Sequence, residues 1–484
     1  MRKEDIISPD LFGNEAGEDE SEEILNSYFV DKPEFNLFYS KANRFQIVRS
    51  RKGVGKSALL KKTQYQLQND PNIIAVYVKG SDLAALEPFD TMTPHELISG
   101  WQKRICTKIT IEIGRRLNLA FDDDSISLVE SAEVTGFRGR NLVGSLADRL
   151  KLKLGKIDID IKKILSDNAQ ALLERYSKDK DINVWLLVDD IDATFLNTEE
   201  QRLYTSTFFS ACRNIINLVN GLTIRASVRT DVWTIIDQYD EALDKCGQYI
   251  IDLSWSTTET GKILKKKILS FYQRKYPNNF KYKNISLDSP EERIFELVFI
   301  IPFPWGRGRV APFRPIHILS AGRPRWAAQL CKLAAKHAFS NNFGKISIRN
   351  IDRVLEIYGR SRLNDLYKEH THQCKNLKDL IEAFAGGPKK YTTQDMLKRI
   401  TDKIIKLCGL PKIDGEEKGK DSIYIAHFLF RIGFICARDE NDDTGLAFIK
   451  HEDRPHLLTS KVNLDDGLWW EIHPSYRKIL RIKY

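Results

Sequence analysis

The sequence predicts an α/β fold, a parallel sheet followed by a helical region and a small winged-helix domain, from three observations. Phe45 to Ser57 reads FQIVRSRKGVGKS. It is an apolar strand that enters a glycine-bearing loop and meets a helix-forming run, Ala58-Leu59-Leu60-Lys61-Lys62. Val184 to Asp192 reads VWLLVDDID, an apolar run suited to a strand buried on both faces and closed by acids. Beyond Trp255 helical periodicity dominates, and residues 374 to 484 place helices ahead of a strand, a polar loop and a return strand.

The leading residues, 1 to about 36, hold an acidic run from Glu15 to Glu23 and then Ile24-Leu25 and Tyr28-Phe29-Val30. The apolar pairs predict a segment that packs on the core, and the acids a solvated face. The core is expected over 37–255. Its first strand ends in the candidate phosphate loop Ser50, Arg51, Lys52, Gly53, Val54, Gly55, Lys56, Ser57 and Ala58. Glycines let backbone N–H groups approach phosphate oxygens, and the following helix N-terminus adds partial positive charge. Lys56 is placed to reach the β- and γ-phosphates and Ser57 to ligate Mg²⁺, so ATP and Mg are the expected cofactors. The full pattern has glycine where this chain has Ser50, a residue small enough to be tolerated.

Ile73 to Val78, with its β-branched run, predicts the next strand, and His95 to Leu117 a helix. Residues from about 120 to 160 form a weakly patterned insertion. Inside it, Leu150 to Ile161 alternates apolar with polar residues and predicts a hairpin broken at Gly155. Ile161 to Tyr176 is expected to be the helix leading to the strand at Val184. At that strand's C-terminal end, where open α/β sheets bind ligands, Asp189 is the candidate for the Mg²⁺ shell. Asp190 is placed to polarise the attacking water, with a shorter reach than glutamate, so slow hydrolysis is expected. Asp192 is left to orient the loop or cap the next segment. Leu222 to Asp231 predicts a further strand ending in polar groups, where Ser227, Arg229 and Thr230 are candidates to sense the γ-phosphate. A purely local role, Asp231 capping a helix with Arg229 paired to an acid, explains the same residues equally well. Tyr249 to Leu253 reads as the last core strand.

Composition bounds the rest. The chain has 484 residues, enough for two to four domains, with 42% hydrophobic and 10% aromatic content. No apolar run is long enough to cross a bilayer, and the charged N-terminus lacks a secretory signal, so no membrane role is expected. Cys106, Cys212, Cys246, Cys331, Cys374, Cys408 and Cys436 form no CxxC pair, which predicts reduced core thiols in a cytoplasmic protein. Net charge of +9 permits an anionic partner without requiring nucleic acid.

Residues 256 to 373 read as a helical lid. Lys262, Lys265, Lys266, Lys267, Arg274 and Lys275 share one helical stretch but no narrow face, which predicts mostly solvated side chains. Gly322-Arg323-Pro324-Arg325-Trp326 opens an amphipathic helix through Ala338. An arginine there suits transition-state stabilisation at phosphate, with Arg325 first and Arg323 the alternative. Ordinary pairing between domains accounts for them as well. His370 and His372 form a lone HxH expected at the surface, and His473 is expected to fix a strand-to-helix corner. In residues 374 to 484, the helix Ile423 to Ile432 takes the recognition position but is strongly apolar, which weakens DNA reading.

SRKGVGKS, WLLVDDID, SVRTDVW, GRPRW and EIHPSYRKIL together resemble bacterial P-loop ATPases of the STAND/KAP-like group, in particular the FunZ-type family. The opening LFGNEAGEDESEEILNSYFV is also similar to that family's N-terminus. The resemblance implies an additional-strand ATPase core of AAA+/STAND type, a helical lid, a C-terminal winged helix and an anti-phage or mobile-element setting. GRPRW also resembles the lid arginine motif of initiator-type AAA+ ATPases. Two functions follow as expectations. One is an ATP-driven conformational or oligomerisation switch acting by self-association or on a partner effector protein. The other is an initiator-type ATPase that binds DNA through the winged helix and basic lid.

Overall fold

A computed structural model describes residues 3–86, 93–116, 139–156, 175–176, 178, 181–193, 195–238, 241–306, 308–414, 421–439, 448–460 and 467–483. The chain divides into two compact units. One comprises Ala16–Asn26 and Asp31–Ser254, the other Met1–Glu15, Ser27–Val30 and Trp255–Tyr484. The leading segment is thus shared between them.

The first unit is built on five parallel strands: β1 (Phe45–Ser50), β2 (Ile73–Lys79), β3 (Asn183–Asp189), β4 (Leu222–Arg229) and β5 (Ile250–Asp252). Their order is β2-β3-β4-β1-β5. The phosphate-loop strand and the acid-ended strand are therefore separated by β4. Helices α1 (Lys56–Leu67), α2 (Gly80–Ala84), α3 (Pro94–Arg116), α4 (Leu142–Lys156), α5 (Glu199–Leu218) and α6 (Thr230–Asp237) connect them. Val184 to Val188 are all buried, as a strand covered on both faces requires. Trp101, Ile105, Phe208 and Phe209 join this strand in one apolar core. Each such side chain contributes about 1.5–3 kcal/mol by leaving water.

The hairpin expected at Leu150 is instead the end of helix α4. Leu142, Leu146 and Leu150 are buried at four-residue spacing, as are Val143 and Ala147. The helical period begins ahead of the alternating stretch and carries into it as far as Lys156, beyond which the stretch lies outside the described residues. The helix expected from Ile161 lies mostly outside the described residues. The acid run is only partly solvated: Glu20 is buried, and its carbonyl accepts the Tyr65 hydroxyl of α1 at 3.1 Å.

The second unit holds two apolar clusters. One gathers α7 (Thr257–Lys275), the hairpin β6 (Phe303–Trp305) and β7 (Gly308–Val310), α8 (Phe313–Leu319), α9 (Pro324–Ser340) and the first half of α10 (Ile348–His370). The other takes Leu363 and Leu366 from the end of α10 and continues to Ile482. It contains α11 (Leu377–Glu382), β8 (Lys390–Thr392), α12 (Thr393–Ile400), α13 (Ser422–Arg431), β9 (Ile435–Asp439) and β10 (Leu468–Ile472). The sheet order β8-β10-β9 is antiparallel, with the helices preceding the hairpin, which is a winged-helix arrangement. The strand expected over Leu446 to Ile449 is reduced, among the described residues, to one bridge between Ile449 and Ala437.

Candidate functional site

The phosphate loop turns because Gly53 and Gly55 take φ of 77° and 123°, a region that strains other residues. Helix α1 starts at Lys56, so its first N–H groups face the loop. Val54 is buried and Lys52 exposed, while Arg51, Gly53, Gly55, Ser57 and Ala58 are half-buried. Ser50 is buried, and its hydroxyl donates to the Arg51 carbonyl at 3.1 Å. The serine therefore fits where the pattern has glycine. Lys56 is 6% exposed, and its ammonium donates to the Ser50 carbonyl at 3.3 Å. A buried cation held, among the described residues, by one long bond is available to an anion.

Register brings the acids to the loop's end of the sheet. Val188 pairs with Ala226, so Asp189 and Ser227 follow side by side. The Ser227 hydroxyl donates to Asp189 Oδ1 at 2.7 Å and accepts the Asp190 N–H at 3.0 Å. From the other neighbouring strand, the Tyr77 hydroxyl donates to Asp189 Oδ2 at 2.7 Å. Burial and the Asp189 charge push the Tyr77 phenol far up, so it acts as a fixed donor. Asp189 is thus a carboxylate oriented from both sides, and each oxygen keeps a lone pair for a further donor or a cation's water shell. Tyr77 was not legible as a site residue, since it is one aromatic in a β-branched strand.

Asp190 is exposed and holds φ of 50°, left-handed backbone that aspartate tolerates better than most residues. It borders a cleft of about 220 Å³ with Gly80, Ser81, Glu200, Gln201 and Tyr204. Gly80 is needed there, because a Cβ would stand 2.3 Å from Ile191 Cα.

Asp192 is 1% exposed and accepts the Arg229 N–H at 2.9 Å. Burial raises its carboxyl to about 6, against the pull of Arg229 and Lys56. Arg229 ends β4, and its guanidinium pairs with Asp231 in the first turn of α6, so the local role has a partner in place. Thr230 opens α6 and is half-buried.

Arg323 and Arg325 lie in the second unit. Arg323 is 2% exposed, pairs with Glu369 at 3.0 Å and stacks over Trp326. Arg325 is half-buried, and its Nε donates to the Glu15 carbonyl at 2.8 Å.

The basic stretch of α7 departs from expectation. Lys262 is exposed, but Lys267 is buried and donates to the Phe12 carbonyl at 2.7 Å. Lys266 donates to the Phe29 carbonyl and Arg274 to the Ser27 hydroxyl, while Lys275 pairs with Asp5 at 3.0 Å. These charges are engaged by the leading segment. His370 is buried, against expectation, and bonds Gln373 Oε1 at 2.7 Å. His473 caps the turn at Pro474, its Nδ1 2.7 Å from the Ser475 hydroxyl.

The recognition-position helix α13 has no fully exposed residue. Its His427 ring nitrogen bonds the Leu457 carbonyl at 2.9 Å, His451 packs on His427 and Phe430, and Arg431 pairs with Asp414 at 2.5 Å. Residues after β9 therefore cover it. Exposed lysines of this part of the chain include Lys398 on α12, then Lys403, Lys406 and Lys412, with Asp395 and Asp402 interleaved.

No family model matches the chain, and no curated protein matches it. Solved structures do match in fold. The Aeropyrum pernix ORC2 protein in ADPNP-ADP complexes is 12% identical, with 90% of this chain and 85% of that chain covered and a TM-score of 0.40. Cdc6p from Pyrobaculum aerophilum is 12% identical over 99% and 98%, with a TM-score of 0.31. The Aeropyrum pernix ORC1 protein in complex with DNA is 11% identical over 99% and 96%, at 0.37. Scores this low leave the chain's own residues as the ground for a functional reading. Among the described residues, no helix is long and apolar enough to cross a membrane. Strand order, glycine loop and acid-ended third strand make this chain an α/β P-loop NTPase fold of the additional-strand type, with helical and winged-helix parts.

Proposed function

We propose that the chain binds and hydrolyses ATP with Mg²⁺. The observation that carries this is one end of the sheet, where a positive-φ glycine loop and buried Lys56 follow β1 while doubly oriented Asp189 ends β3. The residues fit the cofactors. Gly53 and Gly55 turn the backbone toward an anion, Lys56 offers a poorly satisfied ammonium, and Ser57 and Asp189 supply one hydroxyl and one carboxylate. Mg²⁺, when bound, supplies charge neutralisation at the phosphates. Lys56 holds the β- and γ-phosphate oxygens. Asp190 accepts a hydrogen bond from the attacking water and orients it. Arg229 and Thr230 sit at the end of β4, the position for sensing the γ-phosphate. Of the two arginines of the second unit, Arg323 is committed to Glu369, and Arg325 remains the candidate for a phosphate contact.

The use of the cycle is read in two ways. A DNA-binding loader of the initiator type is favoured by a helical region that leads into a winged helix with exposed lysines. Because α13 is covered, the contact would fall on Lys398, Lys403 and Lys406. A switch for a partner protein, in defence or elsewhere, rests on the STAND/KAP-like motifs alone. The test is steady-state ATP hydrolysis with and without DNA, beside Lys56→Ala and Asp190→Ala. Lys56→Ala should weaken nucleotide binding by roughly tenfold or more, the scale of one charge-assisted hydrogen bond. Unchanged affinity in that variant would remove the phosphate-loop reading. Stimulation by DNA that disappears in high salt selects the loader.

A further inference from the structure

In a chain with 66 acids in 484 residues, none falls between Glu296 and Asp352, a stretch that holds nine lysines and arginines. Arg323 pairs with Glu369, and Arg325 donates to the Glu15 carbonyl. Arg309, Arg314, Lys332, Lys336, Lys345 and Arg349 make no side-chain hydrogen bond or ion pair among the described residues. Arg309, Arg314, Lys336 and Arg349 are exposed. Glu296 stays exposed ahead of the stretch, and Asp352 behind it is taken by Lys478 at 3.0 Å. Uncompensated like charge opposes the compact state, so a surface that keeps it points to an anion from outside.

The hairpin β6–β7 stands in this stretch. Its register sets Phe303 opposite Val310, Pro304 opposite Arg309 and Trp305 opposite Gly308. Phe303 is buried with its ring 5.8 Å from that of Phe299, and Trp305 and Val310 pack on the same apolar cluster. The alternate pair, Pro304 and Arg309, is exposed. Gly306 takes φ of 59° at the turn, which glycine meets without strain. Gly308 has no such reason. Its φ lies outside the left-handed region, the pairing around it is regular, and a Cβ there would meet nothing within 4 Å. A strand glycine that neither bulges nor relieves packing marks the close approach of a ligand. At the hairpin's base, the Ile300 N–H donates to the Ile346 carbonyl at 2.9 Å, which sets the segment bearing Lys345 and Arg349 alongside. Arg314 follows in the first turn of α8.

We propose that the β6–β7 hairpin is a contact for duplex DNA, with Arg309 and Arg314 on phosphates and Gly308 at the point of closest approach. This rests on the DNA-binding reading and adds a surface distinct from the lysines of the winged helix. Paired strands lie about 4.8 Å apart and the major groove is about 12 Å wide, so a two-stranded ribbon enters it. Guanidinium groups grip phosphate oxygens through parallel N–H donors. The winged-helix lysines are partly neutralised on their own helix, where Lys406 pairs with Asp402 at 2.7 Å, whereas the hairpin's stretch has no acid. Charge alone suits any polyanion. A ribbon narrowed by glycine and edged with arginine selects a groove over a flat anionic surface.

The test is the fluorescence anisotropy of a labelled duplex of about 20 base pairs, roughly two turns, titrated with the full chain between about 50 and 200 mM salt. Arg309→Ala with Arg314→Ala should weaken binding roughly tenfold at the lower salt. The slope of log affinity against log salt should shrink by about two, one for each phosphate no longer neutralised. Gly308→Val should weaken binding several-fold and leave that slope unchanged, because the added Cβ has room in the free chain but stands in the path of the duplex. Circular dichroism and Mg·ADP affinity should match the wild type in each variant. Wild-type DNA affinity in both hairpin variants, with loss confined to Lys403→Glu with Lys406→Glu, overturns the hairpin contact and leaves the DNA reading standing. No duplex bound by the wild type at the lower salt overturns both. Phosphatidylserine vesicles bound through Arg309 and Arg314 in place of the duplex assign the surface to a membrane and overturn the proposal as well.

Discussion

At the scale of the residue, the site is a set of polar groups held by neighbours on adjacent strands. Asp189 is oriented by Tyr77 on one side and Ser227 on the other, and Asp192 is buried in the turn after β3 at a cost. The cost has a sign that can be checked. Burial raises the folded-state carboxyl of Asp192 above its unfolded value, up to about 6. The folded protein therefore binds the proton more tightly, and stability falls as pH rises from the ordinary aspartate range through about 6. At pH 8 the penalty is on the order of 3 kcal/mol. Asp192→Asn should then be more stable than wild type at pH 8, with the difference shrinking below about pH 4. Thermal melts at the two pH values measure it, and equal stability at pH 8 contradicts the reading. Lys56, Ser57 and Asp189 were legible in the sequence because their spacing within a strand-loop-helix pattern is local. Tyr77 was not, because its role exists only where β2 lies against β3.

At the scale of the element, close packing and specific hydrogen bonds fix where each piece sits. Helix α2 begins at Gly80 against the backbone of Ile191, where a Cβ would stand 2.3 Å from Cα. Gly80→Ala should displace the loop carrying Asp190 and Asp192, at about 1–3 kcal/mol in stability. Denaturant midpoints and nucleotide affinity should fall together, and an unchanged affinity would place the displacement away from the site. The recognition-position helix gives a second expectation. His427 and Arg431 are engaged within their own unit, by Leu457 and Asp414. If DNA binds, Lys403→Glu with Lys406→Glu should weaken it several-fold and flatten its salt dependence, by roughly one unit of slope for each phosphate that is no longer neutralised. His427→Ala should leave DNA affinity unchanged, and a fluorescence titration distinguishes the two. Helix α4 shows how an element misleads when read in a window. LKLKLGKIDIDI alternates, yet Leu142, Leu146 and Leu150 already set a helical period upstream. Period is decided over the whole buried face, not at its end.

At the scale of the whole molecule, the chain joins a P-loop unit to a unit of helical and winged-helix parts, with the leading segment shared between them. An ATPase used as an oligomerising switch should turn over faster per subunit as protein concentration rises. An initiator-type loader should instead respond to DNA at fixed concentration. Specific activity measured over a hundredfold concentration range, about the span over which a micromolar association saturates, separates them. The sequence by itself determined the P-loop class, the strand carrying each motif and the order of the parts. Those properties live in local spacing, in buried apolar runs and in the conformational demands of glycine. Only the tertiary structure decided how β3 is registered against β4 and that Tyr77 and Ser227 meet at Asp189. It also decided that Lys266 and Lys267 of α7 are used by the leading segment and that α13 is covered. The physical reason is common to all four: strand register, long-range hydrogen bonds and the partner of a charge depend on residues far apart in the chain, and no local pattern encodes which of them will meet.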